Sequence, residues 1–313
     1  MITQNSESKI KQGIVNSMEH LCTLCPRNCK VDRKNTLGFC KSPDTLRIAR
    51  AGLHEWEEPC ISYGKGSGTI FFSGCNLRCV YCQNNEISSY LKGTEISVNT
   101  LADEMLRLQE TGAVNINFVT PTHYADKIIK ALDLVRDRLE IPVVYNSSGY
   151  ESVSTLKMLS GYIDIYLPDL KYFSPEVSRK YSYCEDYFEV ALRAVMEMSD
   201  QTGKPVFDKD GHMKKGTMVR HLVLPSLYKD SIEVFKNLGN RIDVKNLAVS
   251  IMCQYFPTHM AKDFPEINRK TTTLEYMKVV DFVRTLGFEY GFMQERSSAK
   301  KEYVPSFDYK QGE

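Results

Sequence analysis

The chain contains no run of eighteen consecutive apolar residues, and its opening stretch, MITQNSESKIKQG, is polar where an export signal would carry an apolar core. These absences argue against a membrane partner and predict a soluble, cytoplasmic protein. Net charge is nearly absent as well, with 40 basic residues against 39 acidic ones giving +1. Without a long-range positive field there is little to steer phosphate, which argues against nucleic acid as a main partner. There is one tryptophan, Trp56, and no internal repeat. No GxGxxG follows a strand pattern, so a dinucleotide-binding fold is not indicated.

Cysteine is what the chain has in excess, ten in 313 residues. Cys60, Cys184 and Cys253 stand alone and read as small core residues. The other seven form two tight groups, the distribution that metal ligation produces. The segment TIFFSGCNLRCVYC reads as a short strand over Thr69 to Phe72, a Ser73-Gly74 turn, and then Cys75, Cys79 and Cys82 spaced C-x3-C-x2-C. Zinc in a structural site is closed by four ligands, whereas three thiolates with no fourth nearby suit an iron–sulfur cluster that keeps one iron open. Upstream, Cys22, Cys25, Cys29 and Cys40 follow C-x2-C-x3-C-x10-C in a segment too polar to build its own core. Zinc and an auxiliary 4Fe-4S cluster both fit there; three Cys within eight residues tilt the reading toward the cluster.

From Gly66 onward, short β-branched runs alternate with amphipathic helical stretches, the pattern of βα units. Helices are expected over Thr100 to Glu110, capped by Asn99 or Thr100, and over Asp126 to Leu139, Ser152 to Leu159 and Ser231 to Leu238. A last helix, ending at Gly287, should bury Leu274, Met277, Val280 and Phe282 or Val283. Further strands are expected at 113–120, at IPVVYNSSGY, at YIDIYLPDLKY, at 217–225 and at 246–257, and FEYGFMQE adds one more. In the second strand Asn115 and Asn117 alternate with apolar residues, so Asn117 points either into a barrel lumen, where a ligand can satisfy it, or to solvent at an edge. The fold class is therefore α/β, a partial (β/α)6 TIM-like barrel with a small Cys-rich metal-binding N-terminal segment. Its divisions are a polar 1–17, a Cys-rich 18–63, a barrel over 64–295 and a tail over 296–313. His54, beside Trp56, reads as structural, and Arg220 and Gln254 are weak candidates taken from strand ends.

The motifs CTLCPRNC, HEWEEPCISY, GSGTIFFSGCNLRCVYCQN, NINFVTPTH, YNSSGY, YIDIYLPDLKY and RHLVLP carry a resemblance across about Cys22 to Pro257. The chain resembles homologues of the pyruvate formate-lyase activating enzyme in the radical S-adenosylmethionine (SAM) superfamily, in a branch with an extra N-terminal Cys cluster. The resemblance implies a 4Fe-4S cluster on Cys75, Cys79 and Cys82, SAM on the open iron, and Tyr81 near the adenine. It implies that Asp169 and Lys171, in a DLK loop, serve the SAM carboxylate region and catalysis, and that Asn146, Ser147 and Ser148 form a cofactor-binding turn. Relatives carry Gly-Gly-Glu after the second strand; here Val119-Thr120-Pro121-Thr122 stands in its place, so backbone carbonyls and threonine hydroxyls such as that of Thr120 would substitute. The implied function is reductive cleavage of SAM to a 5′-deoxyadenosyl radical that takes hydrogen from a peptide, protein or small-molecule substrate, with flavodoxin or ferredoxin as electron donor. The alternatives are an activase that installs a glycyl radical on a partner and, from another class, a non-catalytic iron–sulfur electron carrier or metal-dependent interaction module.

Overall fold

The computed structural model describes residues 21–293 and 305–311. The polar 1–17 segment and most of the 296–313 tail lie outside the described residues. Seven strands run parallel: β2 (Ser67–Phe72), β4 (Ile116–Val119), β5 (Val143–Ser147), β6 (Ile165–Pro168), β8 (Met213–Leu222), β9 (Ala248–Met252) and β10 (Tyr290–Met293). Two more, β1 (Leu46–His54) and β3 (Thr94–Ile96), extend the sheet antiparallel beyond β2, and β7 (Val206–Phe207) pairs with β8 as a hairpin. The order β10-β9-β8-β6-β5-β4-β2-β1-β3 does not close on itself. This is the expected partial barrel of α/β class, with its carboxyl strand ends gathered on one side.

The helices are α1 (Asn85–Ser88), α2 (Val98–Glu110), α3 (Ala125–Val135), α4 (Val153–Met158), α5 (Pro175–Ser182), α6 (Tyr187–Thr202), α7 (Tyr228–Gly239) and α8 (Thr273–Arg284). The cap of α2 differs from the expectation: extended Ser97 accepts the Thr100 N–H on its hydroxyl, so the helix starts ahead of Asn99 and Thr100. Its Leu101, Met105 and Leu108 pack with Ile116, Phe118 and Ile128 between helix and sheet. The buried face of α8 keeps Val280 and Val283 as expected but departs from the expectation at its first turn. Tyr276, Val279, Val280 and Val283 go inward and Leu274 is exposed, because Glu275 closes a capping box with Thr272 and pairs with Arg269. No helix among the described residues is long and apolar enough to cross a membrane.

β1 went unread because it carries a bulge. The register with β2 shifts between Ile48 and Arg50, so Ala49 is buried out of alternation and the strand loses its period of two. The stretch from 174 to 203, rich in charged residues, holds the helices α5 and α6. There α6 buries Tyr187, Val190, Ala191, Ala194, Val195 and Met198 and turns its charges outward.

Candidate active site

β2 ends at Phe72, and the chain turns sharply through Ser73 and Gly74 into the cysteine loop. Gly74 has φ +93, and a Cβ there would meet the Ser42 hydroxyl at 1.9 Å and the Cys40 carbonyl at 2.9 Å. Only glycine lets the N-terminal cysteine segment pack this closely on the loop. Arg27 makes the second contact: its Nε donates to the Asn76 carbonyl (2.8 Å) and its Nη2 to the Ser182 carbonyl (3.2 Å). Asn76, fully buried, donates in turn to the Tyr150 carbonyl (2.6 Å) and accepts from the Ser148 hydroxyl (3.3 Å). One buried amide thereby ties the cysteine loop to the turn after β5.

Cys75, Cys79 and Cys82 face one cavity of about 250 Å³. Each sulfur has a donor aimed at it: the Leu77 N–H at Cys75 (3.4 Å), the Ser182 hydroxyl at Cys79 (3.0 Å) and the Ser88 hydroxyl at Cys82 (3.3 Å). Burial, followed by repulsion from Cys79, holds the Cys75 thiol up at about 11 and the Cys82 thiol up at about 12. These two thiols therefore ionise together only beside a strong cation, which an iron–sulfur cluster provides. Among the described residues, the metal-ligand atoms that gather within 4.8 Å of one another in a group of three belong to Asp208, Asp210 and His212. That hairpin tip already has Lys214 on Asp208 at 3.2 Å. Three soft thiols on one cavity wall, with no fourth cysteine among the residues lining it, suit a 4Fe-4S cluster that keeps one iron open better than a closed structural zinc site. The donor set thus fits a 4Fe-4S cluster.

The opposite wall comes from strand ends. Asp169 pairs with Lys171 at 2.5 Å and with Arg220 Nη2 at 2.9 Å. Arg220 also donates to Asn146 Oδ1 (2.6 Å) and pairs with Glu57 Oε2 (3.3 Å), and the Asn146 amide donates to Glu57 Oε1 (3.1 Å). The network is largely buried. Burial alone would raise the Asp169 pKa, but Lys171 and then Arg220 hold its carboxyl below the usual range. Gly149, at φ +76, lets the turn after β5 meet this loop, since a Cβ would lie 2.1 Å from the Asp169 carbonyl. The Tyr187 hydroxyl lies 2.8 Å from both the Ser148 and the Asp169 carbonyls and 3.0 Å from the Lys171 N–H, pinning both loops. His221, buried and neutral, donates from Nδ1 to the Leu170 carbonyl (2.6 Å) and accepts from the Ser231 hydroxyl (2.8 Å).

Of the residues singled out in the sequence, Tyr81, Thr120, Asn146, Ser147, Ser148, Asp169 and Lys171 all line the cavity, as do Arg220, Gln254 and His54. The Tyr81 hydroxyl bonds to that of Tyr172, and its ring sits edge-on to Tyr255 at 5.8 Å. Thr120 holds φ +58, an unusual conformation for a β-branched residue, at the end of β4. Thr122 faces away and donates to Glu151 (2.6 Å), so of the two threonine hydroxyls only that of Thr120 borders the cavity. Asn117 is not a cavity wall. It is buried one pleat below Val119, and both its amide atoms lack a hydrogen-bond partner among the described residues. Glu57, Asn76, Tyr187 and His221 were missed; only the HEWEEP motif gave any signal, for Glu57.

Glu151 yields a test of the scaffold. Burial pushes its carboxyl up to about 7, opposed by hydrogen bonds from Thr122, Ser147 and Tyr145. The folded state therefore binds the extra proton between the ordinary carboxylate range and neutrality, and stability falls across that window as pH rises. Glu151→Gln is expected to flatten this slope and to gain up to about 3 kcal/mol above pH 7, read by urea unfolding at several pH values.

The radical SAM superfamily model matches residues 69–209. An uncharacterised protein of Methanocaldococcus jannaschii is 30% identical over 281 residues, covering 87% of this chain and 77% of its own length. A pyruvate formate-lyase-activating enzyme of Clostridium pasteurianum is 25% identical over 217 residues, covering 66% of this chain and 82% of that enzyme. Among solved structures, Streptococcus suis SuiB bound to precursor peptide SuiA is similar over 71% of this chain and 46% of its own, at 12% identity and a TM-score of 0.48. The chain thus spans about half the length of that structure. With three loop cysteines at the end of the first parallel strand and a relative alignable over most of both lengths, this chain belongs to the radical SAM superfamily.

Proposed function

We propose that the chain is an enzyme that reductively cleaves SAM and uses the resulting radical to take hydrogen from a substrate. The observation that carries the reading is the cavity itself, with three donor-backed thiols on one wall and the Asp169–Lys171–Arg220–Glu57 network on the other. A cluster held by Cys75, Cys79 and Cys82 would leave one iron for the SAM amino and carboxylate groups and supply the electron that splits the sulfonium into methionine and a 5′-deoxyadenosyl radical. Lys171, close enough to Cys79 to feel its charge, is suited to favour the thiolates and to hold a carboxylate. Asp169 and Glu57 offer acceptors for cationic groups, and Asn146 and Ser148 for hydroxyls. Tyr81 and Tyr255 present apolar ring surface to a flat base. Such an enzyme needs a reductant, for which flavodoxin or ferredoxin is suited, and a peptide, protein or small molecule as substrate.

An activase role on a glycyl-radical partner is favoured by one observation, the activating-enzyme name of the Clostridium relative. The cavity beside the thiols speaks against a pure electron carrier, which needs no organic ligand site. Anaerobic reconstitution with iron and sulfide, followed by SAM and dithionite, is expected to yield 5′-deoxyadenosine; its absence from fully loaded protein would sink both enzyme readings. Adding candidate glycyl-radical enzymes and looking for a glycyl signal by electron paramagnetic resonance separates the two.

For Cys22, Cys25, Cys29 and Cys40 we favour an auxiliary 4Fe-4S cluster, because three of the four fall within eight residues, a spacing closer to iron–sulfur ligation than to two paired zinc knuckles. A Cys75→Ala, Cys79→Ala, Cys82→Ala triple variant should retain about four iron atoms per chain. One zinc and no iron would refute the assignment.

A further inference from the structure

The last described residues return to the mouth of the barrel. Met293 ends β10 at one end of the sheet, and Pro305 reappears among the cavity walls on the β1 side. From there the segment follows β1: the Tyr309 N–H donates to the Ala49 carbonyl at 3.0 Å, and the Arg50 guanidinium reaches the Ser306 carbonyl at 3.5 Å. The β1 bulge lies at this point, between Ile48 and Arg50. Asp308 pairs with Lys92 at 3.0 Å and the Tyr309 hydroxyl donates to Glu104 at 2.9 Å, which fixes the segment on both flanks.

Between these anchors Phe307 is only 4% exposed and packs with Ala49, Phe71, Ile87 and Val119. Its ring stands edge-on to Phe71 at 5.6 Å and 68°. Phe71, Ile87 and Val119 are themselves cavity walls, so Phe307 lies directly behind them. Ile87 accepts the Gly74 N–H on its carbonyl at 2.8 Å, and its neighbour Ser88 donates to Cys82 Sγ at 3.3 Å. Both ends of the cysteine loop thus bear on a four-residue helix too short to be stable alone, and the side chain behind that helix comes from the C-terminal segment.

We propose that Phe307 is a positioning residue of the cysteine site: docked within its own chain against β1, it backs Ile87 and keeps Ser88 on the Cys82 sulfur. This rests on the reading of Cys75, Cys79 and Cys82 as cluster ligands and adds to it a backing for the cavity walls Phe71, Ile87 and Val119 that comes from the C-terminal segment.

The test uses the full chain with Phe307→Ala and Phe307→Leu. In metal-free protein, peptide-resolved mass spectrometry follows alkylation by iodoacetamide. Cys82 is expected to react about fivefold faster in Phe307→Ala, the scale of a local opening. Cys60 and Cys184, buried in other connecting segments, should react at the wild-type rate, and Phe307→Leu should restore Cys82 to within about twofold by refilling the apolar pocket. In reconstituted protein, visible absorbance in dilute oxygen should decay faster by a similar factor in the alanine variant. An unchanged Cys82 rate in Phe307→Ala overturns the proposal, as does a parallel rise at Cys60 and Cys184. Failure of the wild type to load a cluster would instead overturn the ligand reading, with the Cys82 rate still reporting on Phe307.

Discussion

Cys82→Ala is expected to lose iron from the loop and 5′-deoxyadenosine formation together, by more than about 100-fold, the upper range for merely disturbing a ligand's outer partner. With Cys75 and Cys79 alone the loop no longer defines a three-point site, and the Cys75 thiol stays protonated because burial favours that state. The fold should survive: Cys82 is a half-buried side chain on a loop braced by the Val80 N–H on the Tyr181 carbonyl and the Met260 N–H on the Val80 carbonyl, both at 2.9 Å. Loss of activity with unchanged circular dichroism and iron retained only at the N-terminal cysteines is the expected pattern. Ser88→Ala and Ser182→Ala should be far milder, since each removes one donor to a sulfur and no ligand. A Cys82→Ala protein that still made 5′-deoxyadenosine would place the chemistry elsewhere.

Arg220→Met is the second large effect. The guanidinium joins Asp169, Glu57 and Asn146 in one buried array, and removing it leaves carboxylates short of their cation. Breaking such a pair costs about 3–5 kcal/mol, because the desolvated partner is left uncompensated. Urea unfolding at neutral pH should show that loss. Asp169 sets the pH dependence: its folded pKa is held below the ordinary value, so its contribution is complete above the ordinary carboxylate range and fades as pH falls toward the folded pKa. The gap between wild type and variant should therefore narrow in acid, where a protonated Asp169 no longer needs the guanidinium. Arg220→Lys should fall between them, since an ammonium keeps the charge but cannot fork across three acceptors. A gap that held constant through acid would mean that the loss comes from packing.

Much of this site is legible before folding because its ligands are close in sequence. Cys75, Cys79 and Cys82 lie within eight residues, and the strand and glycine turn before them are local signals. The DLK loop and the Asn146–Ser148 turn are short and follow strands, and they come to the cavity because parallel βα units place every strand's carboxyl end on one side. Glu57 and Arg220 are 163 residues apart, so no window of sequence contains the pair. Asn76 reads as an ordinary loop amide until Tyr150 and Ser148 close on it. Tyr187 sits in a stretch whose charges mask the helical period that buries it.

What the sequence by itself determined is the class of chemistry and the barrel, because ligand spacing and βα alternation are local consequences of residue type. Only the tertiary structure decided what surrounds the thiols. The bulge at Ala49 hid β1, the strand on which the C-terminal segment lies. Gly74 set the approach of the N-terminal cysteines, and the burial of Phe307 put a stretch that reads as a tail behind the cavity walls. Each of these depends on close packing between segments distant in the chain, and close packing leaves no periodic trace in either segment alone.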